Sequence, residues 1–194
     1  MKSPVPTAPH RFLPDFRFAT FGLVLLTLAG VGLHLGCSRP GTNGGASAGA
    51  GGSAGILTPM PEFKLASLGG DTFTKADFAG RVVLFDFWAT WCGPCHLQAD
   101  VLRDLYPDAA KKGFEFVAVA TGEEVGVVRD FVSRKPFPYA VFVDPEETVG
   151  APLEINALPT LLIMDAQGRI AYRHTGVTDA AAILSALDAA ASRT

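Results

Sequence analysis

The residues best suited to chemistry are two cysteines, Cys92 and Cys95, in the segment FWATWCGPCH at positions 87–96. A Cys-x-x-Cys pair can hold a metal ion, form a structural disulfide, or carry electrons by cycling between dithiol and disulfide. The third cysteine, Cys37, follows an apolar run far upstream and has no other cysteine near it in sequence. The three cysteines are therefore one close pair, which is the candidate for chemistry, and one distant residue, Cys37, which does not belong to that pair.

Neither a zinc site nor a structural disulfide suits the pair. A zinc site uses four ligands, usually two such pairs or one pair with histidines at set spacing, and only His96 lies close. A disulfide between residues three apart closes too small a loop to stabilise a fold much. Copper(I) prefers thiolates, but Met60 and Met164 lie far apart in sequence. We therefore favour redox chemistry without a metal or other cofactor, and keep a copper-binding or metal-delivery module as an alternative.

The elements around the pair predict how it would react. The apolar run at 82–89 is typical of a strand buried on both faces, and a helix is expected to begin near Gly93, with Pro94 at its first position. Unpaired N–H groups and the macrodipole at a helix start stabilise a thiolate, which is the attacking form. Cys92 is therefore the predicted nucleophile, and Cys95, on the inner side of the helix start, the residue that resolves a mixed disulfide.

The remaining globular sequence alternates between strand and helix patterns. Residues 62–81 predict two short strands joined by a turn at Gly69 and Gly70. The later elements are predicted as a strand at 114–121, a helix at 123–134, a strand at 139–144, a short helix or loop at 145–155, a hairpin at 160–174, and a helix at 178–191 capped by Thr178 or Asp179. This order predicts an α/β fold around a central mixed sheet.

The N-terminal region predicts a membrane attachment. Residues 18–36 contain no Asp, Glu, Lys or Arg and would span about 28 Å as a helix, close to the thickness of a bilayer core. Basic residues before this run favour leaving the N-terminus in the cytoplasm and sending the rest across. The run is therefore interpreted as a signal peptide or an uncleaved anchor, with a buried core helix as the alternative. Its end, LHLGC, resembles the bacterial lipoprotein cleavage box, which makes Cys37 a candidate for lipidation, although His34 and Leu35 depart from that pattern.

Composition then sets the domain boundaries. The segment at 38–55 consists mostly of Gly, Ser and Ala, cannot bury enough apolar surface to fold, and predicts a tether with a reach of roughly 20–25 Å. We expect an anchor or signal at 1–37, a linker at 38–57 and one domain at 58–194. The net charge of −3 comes without a basic patch, which argues against nucleic acid as a partner.

Two motifs resemble a known superfamily. VVLFDFWATWCGPC is similar to the active-site strand and turn of thioredoxins, and Leu158-Pro159-Thr160 resembles the cis-proline loop that faces their cysteine pair. The N-terminal signal, residues 62–81 and residues 122–157 look more like the membrane-tethered, extracytoplasmic branch of the TlpA, ResA and cytochrome c maturation type. The resemblance spans about residues 59–191. It implies a thioredoxin fold, a central mixed β-sheet flanked by helices, with an N-terminal β extension and a central insertion.

The resemblance also implies roles for individual residues. Cys92 takes the nucleophile position, Cys95 the resolving position, and Pro159 the cis-proline position that lines the substrate groove. Asp86 takes the place of a buried aspartate, whose pKa burial would raise and which could exchange a proton with Cys95; a surface acid is the alternative. Trp91 would shield the disulfide and belong to the docking surface, unless it is a plain core aromatic.

Five positions depart from or qualify the branch pattern. Gln98 and Asp100 stand where the branch commonly has a glutamate and a proline, so acid–base help would have to come from Asp86. Gly-Pro between the cysteines is the dipeptide of general reducing thioredoxins. His96 would tune Cys92 if protonated, or would be a solvated helix position.

The expected function is that of a thiol–disulfide oxidoreductase tethered to the membrane and facing the periplasm or extracytoplasmic side. It would reduce disulfides of exported proteins, for example apocytochrome c. A reductase in an oxidising compartment needs its own electron source, and the resemblance implies that a transmembrane protein is that donor. The alternatives are oxidation of new thiols and the metal-delivery module.

Overall fold

The computed structural model describes residues 57–193. The predicted anchor at 18–36, the candidate lipidation site Cys37, and the predicted linker up to residue 56 lie outside these residues. The strands are β1 (Thr58–Pro59), β2 (Lys64–Ser67), β3 (Thr72–Thr74), β4 (Val83–Trp88), β5 (Glu115–Thr121), β6 (Ala140–Asp144), β7 (Thr160–Met164) and β8 (Arg169–Thr175). The helices are α1 (Gly93–Lys111), α2 (Val125–Arg134) and α3 (Ala180–Ala191), with a short 3-10 helix at Lys75–Phe78. None of the helices within residues 57–193 is long and apolar enough to cross a bilayer.

The strands form one mixed sheet in the order β1-β8-β7-β4-β5-β6-β2-β3. Strands β4, β5 and β6 run parallel, and the other neighbours pair antiparallel. The β2–β3 hairpin adds to the sheet through β6, so the N-terminal extension predicted from the sequence is confirmed. Strand β4, which leads into the cysteine pair, is central and buried along its whole length.

Alternating side chains of β4 divide the core into two layers. Leu84 and Trp88 point to the layer that contains the buried residues of all three helices, among them Leu102, Val128, Ile183 and Leu187. Phe85 and Phe87 point to the other layer, where the aromatic rings of the N-terminal extension pack edge-to-face, and Val149 and Leu153 close it from a turn segment. Asp86 shares the parity of Leu84 and Trp88, so it lies on the helix side, which also holds both cysteines.

The segment at 145–155, for which the sequence predicts either a short helix or a loop, consists of turns. The side chain of Asp144 accepts hydrogen bonds from the N–H groups of Val149 (3.0 Å) and Gly150 (2.8 Å), which replaces helical bonding there. Glu147 and Glu154 both have a φ of 53°, in the left-handed region that interrupts a helix.

The starts of the three helices can be compared with the prediction. Those of α1 and α2 differ from it slightly, and that of α3 decides between two predicted caps. Helix α2 begins at Val125, two residues later than predicted, because Glu123 remains outside the helix and reaches another loop. Pro94 is the second residue of α1 rather than the first, and its missing N–H is still one that a helix start leaves unpaired. Of the two predicted caps of α3, Asp179 is the one observed, accepting from Ala182 N at 2.9 Å.

Candidate active site

The cysteine pair lies at the junction between β4 and α1. A turn from Ala89 to Cys92, closed by a 3.2 Å hydrogen bond between the Cys92 N–H and the Ala89 carbonyl, reverses the chain after the strand. Cys92 is the N-cap of α1 and forms a disulfide with Cys95, at a Cα–Cα distance of 5.2 Å. A buried strand followed by a turn and a helix start is thus the arrangement that the sequence predicted.

The start of α1 stabilises negative charge on one of the two cysteine sulfurs more than on the other. The backbone N–H of Cys95 donates to Sγ of Cys92 at 3.2 Å, and this bond would strengthen toward a thiolate. Cys92 also lies at the positive end of the macrodipole of a 19-residue helix. Both features stabilise negative charge on Cys92 rather than on Cys95, which is 1% exposed.

The predicted cis-proline is present. The Leu158–Pro159 peptide bond is cis, and Pro159 is buried. Thr160, which follows it, is paired with Phe87 near the end of β4, so Pro159 lies at the same edge of the sheet as the cysteine turn. Its carbonyl accepts from Gly176 N at 2.8 Å, which fixes the loop against the end of β8.

Asp86 is a buried acid on β4, the strand that leads into the cysteine pair. Its side chain is 0% exposed, and neither carboxyl oxygen has a hydrogen-bond partner within residues 57–193. Burial raises the pKa of Asp86 from 3.8 to about 7. The alternative of a surface acid is therefore wrong. A carboxyl group with a pKa near 7 can both take up and release a proton at neutral pH.

Other buried polar groups lie in the same layer. Gln98 is 0% exposed, and its Oε1 accepts from Thr178 N at 2.8 Å, which links α1 to the segment before α3. Burial raises the pKa of the Tyr139 hydroxyl, and the charge of Asp86 raises it further. Gln98 does not titrate, so Asp86, on β4, is the group that could exchange a proton near neutral pH.

Trp91 is exposed, and the turn that carries it is held by neighbours. The indole side chain is 73% exposed, so the alternative of a core aromatic is wrong. The preceding Thr90 is bonded by Glu123 and by His96, whose Nε2 lies 3.0 Å from the Thr90 carbonyl. His96 also stacks on Phe131, so it is more than a solvated helix position.

Sequence reasoning missed Thr90 and Glu123. Glu123 was assigned to the first turn of a helix, where an acid is ordinary. The order of the strands could have indicated the contact between Glu123 and Thr90. Because β4 and β5 are parallel, the residues just after each strand lie at the same edge of the sheet. Glu123 is the second residue after the end of β5, as Thr90 is the second residue after the end of β4.

Exposed apolar side chains lie around the same edge. Besides Trp91, Leu97 is 62% exposed and Val177 is 44% exposed. Val177 stands between Gly176, which is bonded to Pro159, and Thr178, which is bonded to Gln98. Within residues 57–193 no group of three or more His, Cys, Asp or Glu side chains is arranged to hold a metal ion. The arrangement can carry out thiol–disulfide exchange with a partner that docks at this edge.

The chain is similar to known proteins in sequence and in fold. The profile of the redoxin family matches residues 57–190. The thiol-disulfide oxidoreductases ResA of Geobacillus kaustophilus and Geobacillus thermodenitrificans are 32% and 31% identical over 121 residues, in each case 62% of this chain and 70% of the relative. A crystal structure from Chlorobium tepidum, provisionally described as a thiol:disulfide interchange protein DsbE, has a TM-score of 0.65 and 28% identity, and the match covers 71% of this chain and 99% of that one.

Proposed function

This chain belongs to the redoxin family, as a ResA-like thiol-disulfide oxidoreductase of the thioredoxin superfamily, and on that premise we propose that it reduces disulfides of exported proteins outside the cytoplasm. The observation that carries the proposal is the position of Cys92, at the start of α1 with its sulfur accepting the Cys95 N–H, in the same core layer as the unpaired carboxyl of Asp86. A pair that stabilises a thiolate on one sulfur and has a buried proton acceptor in the same core layer is suited to exchange with an external disulfide.

The first step is attack by Cys92. In the reduced protein the Cys92 thiolate attacks one sulfur of the partner's disulfide. A Cys92–partner disulfide forms, the partner's own disulfide breaks, and the released partner sulfur leaves as a thiolate that takes a proton from water. Trp91, in the cysteine turn, and Pro159, at the same edge of the sheet, are proposed to contact the partner during this step.

The second step is resolution by Cys95. Cys95 is 1% exposed, so water is a poor acceptor for the proton of its thiol, and we assign that proton to the carboxylate of Asp86. The Cys95 thiolate attacks the Cys92 sulfur, the Cys92–Cys95 disulfide forms, and the second partner sulfur leaves as a thiolate. Two electrons have passed to the partner, and the protein is left in the disulfide-bonded state that the structure contains.

A membrane tether and an electron donor complete the proposal. A reductase in an oxidising compartment must be re-reduced by its own electron source, and a transmembrane donor of dithiol electrons supplies that chemistry. The apolar run at 18–36, the candidate lipidation site Cys37 and the Gly-rich linker support attachment to the outer side of the cytoplasmic membrane. Disulfide-bonded Cys-x-x-Cys segments, such as those of apocytochromes c, are the proposed substrates.

Trapping of mixed disulfides tests the proposed roles. The full-length variant Cys95→Ser, reduced and mixed with a disulfide-bonded Cys-x-x-Cys peptide, is expected to accumulate a covalent adduct, seen as a mass shift without reductant. Cys92→Ser is the matched control and is expected to form no adduct, since only Cys92 attacks. Equal adduct formation by both variants would contradict the assignment, and no adduct with either would remove the proposed activity.

A further inference from the structure

The turn before Cys92 is held by partners distant in sequence. Thr90 and Trp91 are its central residues, and its ends are joined by the bond from Cys92 N to the Ala89 carbonyl. Trp91 is 73% exposed at the tip, while Cys92 is 4% exposed at the end. The conformation of Thr90 therefore sets the position of the exposed indole relative to the attacking sulfur.

The carboxylate of Glu123 binds both donors of Thr90. Oε2 accepts from the backbone N–H at 2.6 Å, and Oε1 accepts from the hydroxyl at 2.5 Å. Glu123 is 9% exposed, and within residues 57–193 it forms no ion pair with a basic side chain. A carboxylate in a mostly dry position depends on its hydrogen-bond donors, and both donors here come from one residue of the active-site turn.

His96 holds the remaining polar group of Thr90. The carbonyl can only accept, so His96 Nε2 carries the proton and donates at 3.0 Å. The imidazole stacks on Phe131 of α2, with centroids 5.2 Å apart, and Phe131 also contacts Trp88. The N–H, hydroxyl and carbonyl of Thr90 are thus all fixed, and none of these bonds involves a sulfur atom.

Two other buried carboxylates, those of Asp144 and Asp165, accept hydrogen bonds from their own loops instead. Asp144 bonds N–H groups five and six residues further along its loop, and Asp165 bonds those two and four residues on. Glu123 reaches a residue 33 positions away, in the turn that precedes the nucleophile. The buried carboxylate of Glu123 therefore fixes the geometry of the active-site turn.

We propose that Glu123 is a positioning residue for partner recognition: by fixing Thr90, it holds exposed Trp91 and the Cys92 sulfur in the single arrangement that a protein disulfide substrate contacts. The inference rests on the proposed function. A turn that is already ordered loses less conformational freedom when a protein docks on it. A small disulfide can reach Cys92 without contacting Trp91, so its reduction does not depend on how well the turn is ordered.

Steady-state reduction of two substrates, with dithiothreitol supplied as the electron source and the uncatalysed rate subtracted, tests this role. Full-length Glu123→Gln and Thr90→Val are compared with wild type in the reduction of insulin and of oxidised glutathione. The glutamine amide can accept only one of the two bonds, and valine lacks the hydroxyl. Both variants are expected to raise KM for insulin about tenfold, equal to about 1.4 kcal/mol, with kcat within about twofold and glutathione reduction unchanged.

Two further variants serve as comparisons. Glu124→Gln removes the same charge one residue further on, from an exposed side chain that makes no capping bond, and is expected to match wild type. Thr90→Ser keeps both donors and is expected to recover most of the insulin KM lost in Thr90→Val.

Three outcomes would overturn the inference or separate it from its premise. A similar loss with both substrates would place the effect of Glu123 on Cys92 reactivity or on folding, and unchanged insulin kinetics in both variants would remove the role. If the wild-type chain reduced neither substrate, the proposed function would fail and the docking role with it.

Discussion

Two aspartates of this protein, Asp86 on β4 and Asp165 just after β7, are both 0% exposed, but their surroundings are opposite. Asp165 accepts from the N–H groups of Gln167 (3.0 Å) and Arg169 (2.9 Å) and pairs with the Arg169 guanidinium at 2.8 Å. Asp86 has no hydrogen-bond partner within residues 57–193. A buried acid with all its partners stabilises a turn, whereas a buried acid without partners costs stability and is a candidate for proton transfer.

The largest expected difference between the two is in the pH dependence of stability. Because the folded pKa of Asp86, about 7, exceeds its unfolded value of 3.8, the folded state holds the proton more tightly, and stability falls as pH rises through that window. Relative to Asp86→Asn, the wild-type disulfide form is expected to lose at most about 4 kcal/mol of unfolding free energy between about pH 4 and pH 8. Urea titrations at several pH values measure this difference, and a constant difference would contradict the raised pKa.

Removal of the paired acid is expected to act on stability alone. Asp165→Ala leaves two backbone N–H groups and Arg169 without their acceptor, so the unfolding free energy should fall by about 3 kcal/mol at neutral pH. Reduction of a small disulfide by the folded variant should match wild type. A decrease in the unfolding free energy of less than about 1 kcal/mol would show that the bonds of Asp165 contribute less to stability than their geometry indicates.

Removal of the unpaired acid is expected to act on chemistry. Asp86→Asn keeps the shape of the side chain but cannot take a proton from Cys95, so release of the mixed disulfide should slow about a hundredfold while attack by Cys92 changes little. Rapid-quench kinetics with a disulfide peptide separate the two steps. Unchanged turnover would remove Asp86 from the mechanism.

The smallest effect is expected when a second acid is added near Asp86. Gln98→Glu keeps an oxygen for Thr178 N but introduces a like charge in the same layer, which raises the pKa of Asp86 further. The rate of resolution at pH 7 should therefore fall by less than about tenfold, and its pH profile should shift upward. A downward shift would mean that the two side chains do not interact as like charges.

The same comparison shows which parts of the molecule the sequence predicts. An aspartate inside the apolar run at 82–89 could be identified as buried, because the strand pattern left it no exposed face. The Cys-x-x-Cys turn was likewise predictable from local residues, whereas the cis-proline was implied by the resemblance of Leu158-Pro159-Thr160 to the cis-proline loop of thioredoxins. The turn at 145–155 was not, because its shape depends on side-chain bonds to Asp144. The Glu123–Thr90 contact was not predicted because it joins two loops 33 residues apart.

The reduction potential of the Cys92–Cys95 pair in the full-length chain tests the central claim most directly. It can be measured by equilibrium with a defined thiol buffer, with the emission of Trp88 and Trp91 near the pair as the readout. A midpoint near about −270 mV, the value of thioredoxin, is expected, because the pair should then donate electrons to protein disulfides. A midpoint near about −120 mV, that of a strong oxidant, would mean that the protein inserts disulfides and would contradict the proposed direction.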